Sequence, residues 1–306
     1  MNLKPASQLT LYGLNDDFNE LASLYNKKKL PNKILLSGNK GIGKCTLAYH
    51  LINFILSNDE EFPYDEKNFT INENNKSFKL TINNVNPNFN LIDVASDKKF
   101  IDISQIRNLI LNLNKSSLNK KPRFVLIDNI EYLNKNSINS LLKFLEEPND
   151  NIYFLLIHNN KRILSTLKSR CLNFKIHLTN SQSAEVLNCI LKKKILNNIN
   201  NELIDYYFTP GKILELINFS NDYEIELENL TLKNFLRILI EKNYYKKNNI
   251  GKALLFDLIE SFLQKKEFHI QSNLFEYFIT KINDVKKFNL DDEIIINEFH
   301  EKVLNE

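Results

Sequence analysis

The sequence predicts an α/β fold in which a parallel, helix-covered sheet occupies residues 1–178 and helices alone make up the rest. Three observations point to it. A short apolar strand at 34–36 runs into a glycine-rich loop and then a helix. Apolar strands alternate with helical segments from there to Leu178, the order that yields a parallel sheet with helices packed on it. Beyond Thr179 the strand signal fades and a helical period of apolar residues takes over.

The first element is a helix, because Phe18, Leu21, Leu24 and Tyr25 recur at helical spacing; Pro31 breaks that pattern ahead of the strand. After the glycine loop, residues 47–56 read as a helix that buries one face. Residues 57–88 are polar and Asn-rich, with strand-like pieces only at 69–71 and 78–82, so an inserted hairpin or loose excursion is expected. Alternation then resumes with strand 89–94, helix 104–113, strand 124–127, helix 137–145, and strands 152–157 and 173–178. The helical remainder falls into a group near 183–220 and a longer series from 230. Its apolar stripes, such as Leu232, Phe235, Leu236 and Leu239, read as core.

Composition bounds the function classes. The 306 residues, 43% of them hydrophobic, suffice for two or three cores. No window approaches the roughly 18 unbroken apolar residues of a membrane span, and the amino terminus shows no signal-peptide run. A soluble, cytoplasmic protein without membrane contact is expected. Cys45, Cys171 and Cys189 stand far apart with no C-x-x-C pair, so neither a disulfide framework nor a zinc site can be read from them. The formal charge of +3 is too small to mark a dedicated nucleic-acid binder.

The chemistry concentrates in two segments. Residues 38–46, GNKGIGKCT, meet the phosphate-loop pattern G-x-x-x-x-G-K-[ST] except that Cys45 replaces the hydroxyl residue. Gly38, Gly41 and Gly43 let the backbone curl around phosphate oxygens, and Lys44 brings a charge to the outer phosphates. The following helix starts with free N–H groups aimed at the same place. ATP is the expected cofactor, with magnesium accompanying the nucleotide; a glycine turn without a ligand is the alternative. The thiol of Cys45 is a soft, poor partner for magnesium. Thr46 does not restore the hydroxyl, since one helical step turns its side chain by roughly 100°.

The second segment, 123–131, is an apolar strand ending in Asp128, which is how phosphate-loop proteins present their magnesium-associated acid. Asn129 is neutral where an active ATPase with two adjacent acids would polarise water. Glu131 is two positions off and reads as a solvated acid at the next helix start. Nucleotide binding is expected, and hydrolysis by this chain is expected to be weak or absent.

Taken in order, GNKGIGKCT at 38–46, NPNFNLID at 86–93, the segment from Ile103 to Arg107, the strand at 124–128, SLLKFLEEP at 140–148 and TLKSRC at 166–171 resemble the clamp-loader family of AAA+ proteins. The likeness is clear over residues 9–178 and weaker beyond, and SLLKFLEEP followed by SRC is its most specific part. Leu141, Leu142 and Leu145 read as helix-to-sheet packing, with Pro148 as the stop.

The resemblance implies an AAA+ sheet domain at 1–178, a helical lid at 179–222 and a C-terminal all-α collar domain at 223–306. It implies that Arg170 stands at the subunit edge and enters a neighbouring motor subunit's ATP site in trans, an arginine finger with a fixed charge for transferred phosphate. It places His158 or Asn159 as a polar sensor of the γ-phosphate. Lys212, behind Gly211, becomes a second sensor or else a plain solvated lysine. The implied binding set is Gly38, Gly41, Gly43, Lys44, Cys45, Thr46, Asp128 and Lys212. Many relatives hold a zinc between four cysteines in the region matching 57–88, where this chain has none, so no zinc is expected.

The implied role is a largely stationary, hetero-oligomeric subunit that supports ATP-dependent loading of the sliding clamp during replication. Its implied partners are the motor subunits, the clamp-opening delta subunit, the clamp and, through the complex, primed DNA. A catalytically active AAA+ ATPase, either a motor subunit or a helicase loader, is the main alternative, and Cys45 and Asn129 count against it. A small-molecule kinase is a further one, for which no acceptor pocket or arginine-rich lid is legible.

Overall fold

A computed structural model of the chain forms one parallel sheet from β1 (Lys33–Ser37), β2 (Phe89–Ile92), β3 (Arg123–Ile127), β4 (Ile152–His158) and β5 (Leu172–Lys175), in the order β2-β3-β4-β1-β5. The structure describes residues 4–95, 98, 100–115, 119–146, 151–159, 163, 165–192, 198–204, 209–247, 249–264, 272–288 and 291–305. Two compact units divide the chain: residues 1–189 with 209–211, and residues 190–208 with 212–306.

In the first unit β1, β3 and β4 are unbroken apolar runs, buried over most of their length, as interior strands of a sheet covered on both faces must be. Parallel pairing brings their C-terminal ends to one edge: Ser37 lies opposite His158, and Ile127 opposite Leu156. That edge carries the site.

The helices of this unit are α1 (Asn15–Asn26), α2 (Lys44–Ser57), α3 (Lys76–Ile82), α4 (Ile103–Leu113), α5 (Lys135–Glu146), α6 (Ser165–Lys168) and α7 (Asn180–Leu191, up to Cys189). Helix α2 is buried almost all round, with Leu47, Leu51, Ile52 and Phe54 among its buried side chains. Leu141, Phe144 and Leu145 of α5 join Ile106 and Leu109 of α4 in one core with Val125, Ile127, Phe154 and Leu156 of the sheet, and Leu142 packs against it half-buried. The expected packing role of that block is therefore met, while Pro148 lies outside the described residues.

Residues 78–82 are helical, not strand-like. Asn75, fully buried, caps α3 by accepting the Phe78 N–H at 2.7 Å, donates to the Phe62 carbonyl at 2.8 Å and accepts from Asn53 Nδ2 at 3.0 Å. Apolar alternation suggested a strand, but a buried N-cap satisfies the first-turn donors and decides for helix. Thr70 makes isolated bridges to Thr10 and Asp65. Ser77 ties the segment to Glu60 through its N–H at 3.0 Å and its hydroxyl at 2.6 Å. Strand β5 stops at Lys175, short of the expected 178, although Ile176 still donates to the Ser37 carbonyl at 2.8 Å.

The second unit is helical over its described residues: α8 (Asn201–Ile204), α9 (Pro210–Asp222, from Lys212 onward), α10 (Leu232–Glu241), α11 (Tyr244–Lys247), α12 (Asn249–Gln264), α13 (Ser272–Phe288) and α14 (Asp292–Phe299). The stripe Leu232, Phe235, Leu236 and Leu239 is buried, and Phe262, Phe278 and Phe299 pack edge to face.

Candidate functional site

The loop 38–43 joins β1 to α2, and Gly43 takes a left-handed conformation, φ 96°, as the N-cap of α2. A residue with a Cβ is strained there, so glycine is what lets the strand turn directly into the helix. Lys44 follows as the first helical residue and is 3% exposed. Its Nζ donates to the Gly38 carbonyl at 3.0 Å, the Asn39 carbonyl at 2.7 Å and Asn159 Oδ1 at 2.9 Å, which fills all three ammonium donors. Burial lowers the Lys44 pKa to about 8, against the opposing pull of the Asp128 and Glu131 carboxylates, so the side chain stays charged at neutral pH.

The outer arm of the loop is held by the segment 209–211. Thr209 Oγ1 donates to the Lys40 carbonyl at 2.8 Å, and the Gly211 N–H donates to the Gly41 carbonyl at 2.8 Å. Neither contact was legible in the sequence, where 169 residues separate Thr209 from its partner.

Beside the loop, β3 delivers Asp128 at the sheet edge. Burial first, and then the neighbouring Asp93 carboxylate, push the Asp128 pKa up to about 6, while a hydrogen bond from the Cys45 thiol opposes the shift. Burial and the Asp128 carboxylate in turn push the Cys45 thiol well up, so it stays protonated and donates to Asp128. Where a hydroxyl would give magnesium a hard oxygen the chain thus has a protonated thiol, beside a carboxylate that burial pushes toward its neutral form. This donor set does not fit magnesium. The glycines and the N–H groups at the start of α2 do fit a phosphate, and the Lys44 charge beside them favours one. Thr46 sits half-buried in the same first turn.

Asn129 has a left-handed backbone, φ 57°, and its amide donates to Asp93 Oδ1 at 3.0 Å. Asn159 is the hub: its Oδ1 accepts from Lys44, and its Nδ2 donates to Asn129 Oδ1 at 2.9 Å and Glu131 Oε1 at 3.0 Å. Of the two sensor candidates, Asn159 joins the site through its side chain, whereas the His158 carbonyl accepts the Gly38 N–H at 3.3 Å. Glu131 is not a solvated acid. The short turn Ile130–Tyr132 swings it back toward Lys44, and its Oε2 is buried with no hydrogen-bond partner among the described residues. Asp93 was missed as a site residue; its signal was the acid ending β2, the strand beside β3.

Arg170 lies just past α6, outside this constellation. Its Nε donates to Glu146 Oε1 at 2.8 Å, its Nη2 donates to the same oxygen, and its Nη1 donates to the Thr166 carbonyl at 2.8 Å. Lys212 belongs to the second unit, where its Nζ is 3.4 Å from Asp257 Oδ2. Among the described residues no group of three or more His, Cys, Asp or Glu is placed to hold a metal ion, and no helix is long and apolar enough to cross a membrane.

A phosphate loop at the C-terminal edge of a β2-β3-β4-β1-β5 parallel sheet, with an acid ending β3 and a polar amide following β4, defines a phosphate-loop protein of the AAA+ class. Residues 14–180 match the family described as DNA polymerase III, delta subunit, and the chain belongs to that family. It is 26% identical over 286 residues to the DNA polymerase III subunit delta' of Buchnera aphidicola subsp. Schizaphis graminum, covering 88% of this chain and 84% of that protein. The delta' subunit of Bacillus subtilis is 32% identical over 154 residues, 48% of this chain and 44% of that one. The gamma subunit of the same Buchnera is 27% identical over 242 residues; the match covers 77% of this chain and 64% of that subunit's length. Among solved structures, a DNA polymerase III gamma subunit-related protein of Thermotoga maritima aligns over 92% of this chain and 96% of its own, at 17% identity and a TM-score of 0.43.

Proposed function

We propose that this chain is a delta'-type subunit of a clamp loader, with an incomplete nucleotide site of its own and an arginine, Arg170, lent to the triphosphate of a neighbouring ATP-hydrolysing protomer. One observation supports the first half above all others: where a magnesium hydroxyl and a water-polarising acid would stand, the chain has the buried, protonated thiol of Cys45 and the neutral amide of Asn129, which donates to Asp93. A thiol is a poor ligand for magnesium, and an amide accepts no proton from water. Family membership and the exposed Arg170 of the SRC motif support the second half.

In this reading the loop N–H groups and Lys44 hold an ATP that the chain does not turn over. The protein acts in the cytoplasm as part of a hetero-oligomer with gamma-type motor subunits, a delta subunit and the sliding clamp, meeting primed DNA through the complex. The test is a mixing experiment followed by an assay. The isolated chain should release phosphate from ATP at background rate and should enter a stable complex with gamma-type and delta subunits. Robust turnover by the isolated chain, or failure to assemble, contradicts the proposal.

A second reading, an ATPase active in its own right, draws on the orphan oxygen of Glu131, which sits one side chain from Lys44 and could accept a proton from water. It requires turnover by the isolated chain that Glu131→Gln abolishes.

A further inference from the structure

We propose that Glu146 is the positioning residue for Arg170, holding the guanidinium so that its outer edge faces an anion on an adjoining protomer; this rests on Arg170 acting in trans. The residue follows a single turn of helix, closed by the Ser169 N–H to the Ser165 carbonyl at 2.9 Å and the Arg170 N–H to the Leu167 carbonyl at 3.2 Å. A long side chain on so short a support keeps no direction of its own, since its rotamer freedom is large.

Here the direction is imposed. A guanidinium has five N–H donors in one plane. Glu146 Oε1 takes one from Nε and one from Nη2, and the Thr166 carbonyl takes one from Nη1. One N–H therefore remains on each terminal nitrogen, open to the oxygens of a phosphate.

Glu146 can impose this direction because of where it stands. It is the last residue of α5, and Leu141, Phe144 and Leu145 of that helix are locked in the core against the sheet. The carboxylate is thus a fixed point on a rigid element, the condition for holding a functional group in place. The pair itself does little for folding: Arg170 and Glu146 are 35% and 54% exposed, and ion pairs in water contribute little to stability. Orientation is the role left to it.

The experiment uses the complete complex reconstituted with gamma-type and delta subunits, carrying Glu146→Ala, Glu146→Gln, Arg170→Ala or the double Ala variant of this chain. Glu146→Ala should lower kcat for ATP about fivefold with KM nearly unchanged, because a misdirected group costs rate rather than ground-state binding. Glu146→Gln, whose amide oxygen accepts the same N–H groups, should fall between wild type and Glu146→Ala. The double variant should be no slower than Arg170→Ala alone, since Glu146 acts only through Arg170. Melting temperatures of the isolated chains should stay together. If Arg170→Ala slows the complex and Glu146→Ala leaves it unchanged or faster, the positioning role is overturned while the trans role stands. If the double variant is slower than Arg170→Ala, Glu146 acts by another route. If Arg170→Ala has no effect, the trans reading itself fails.

Discussion

The backbone N–H of Gly211 is bonded to the carbonyl of Gly41 at 2.8 Å, so the first turn of α9 is fastened directly to the phosphate loop. Thr209 holds the adjacent Lys40 carbonyl, and Lys44 holds those of Gly38 and Asn39. Four consecutive loop carbonyls are therefore engaged by the chain itself. A loop fixed this way keeps its shape without a ligand.

The fastening depends on the absence of a side chain at 211. A Cβ there would lie 2.7 Å from Gly41 Cα and 3.0 Å from its carbonyl oxygen, both backbone atoms that cannot swing aside. Gly211→Ala should lower unfolding free energy by about 1–3 kcal/mol through enforced overpacking, read as a shift of the urea midpoint. An unchanged midpoint would show that the two segments are not locked together.

Cys45→Ser restores a hydroxyl beside Asp128. The wild-type chain should bind a fluorescent ATP analogue almost equally with magnesium and with EDTA, whereas the serine variant should bind about tenfold more tightly with magnesium, as a hard oxygen ligand requires. Strong magnesium dependence in the wild type would remove the case for an incomplete metal site.

Much of this site was legible in the residues. The phosphate loop, the β3 acid and the alternation of strand and helix are local patterns, and Gly38, Lys44, Cys45 and Asp128 fall where those patterns put them. Asn159 was visible only as one of two adjacent polar residues, because a strand's end is uncertain by a residue and one residue reverses the direction of the side chain. Glu131 was misread because the 3-10 turn that returns it to Lys44 leaves no mark on periodicity. The helix at 76–82 was hidden for a similar reason: its cap, Asn75, is fixed by Asn53 and Phe62, contacts set by tertiary packing rather than by neighbours. Thr209 and Gly211 reach the loop across most of the domain, beyond any local pattern.

His50 supplies a pH signature for the first unit. It is fully buried, accepts from the Tyr64 hydroxyl at 2.9 Å on Nδ1 and donates from Nε2 to the Gln8 carbonyl at 3.1 Å, the tautomer that satisfies both partners. Burial lowers its pKa to about 4 from the ordinary 6.5. Between those values the unfolded chain binds a proton that the folded chain refuses, so stability present above about pH 6.5 is lost as pH falls. Moving from about pH 7 to about pH 5 should cost the wild type roughly 2 kcal/mol more than His50→Gln, measured by urea unfolding. The raised pKa of Asp128 acts with the opposite sign over an overlapping range, but it is common to both chains and cancels in the comparison. Equal losses would mean that His50 is not held neutral.

The most direct test of the central claim is phosphate release measured side by side for the isolated chain, for the reconstituted complex and for the complex carrying Arg170→Ala. The chain alone should sit at background, the complex should hydrolyse ATP, and the substitution should slow it about tenfold or more, because a guanidinium that completes a partner's phosphate site has no substitute within that site. Vigorous hydrolysis by the chain alone, or an undiminished rate in the substituted complex, would contradict the account.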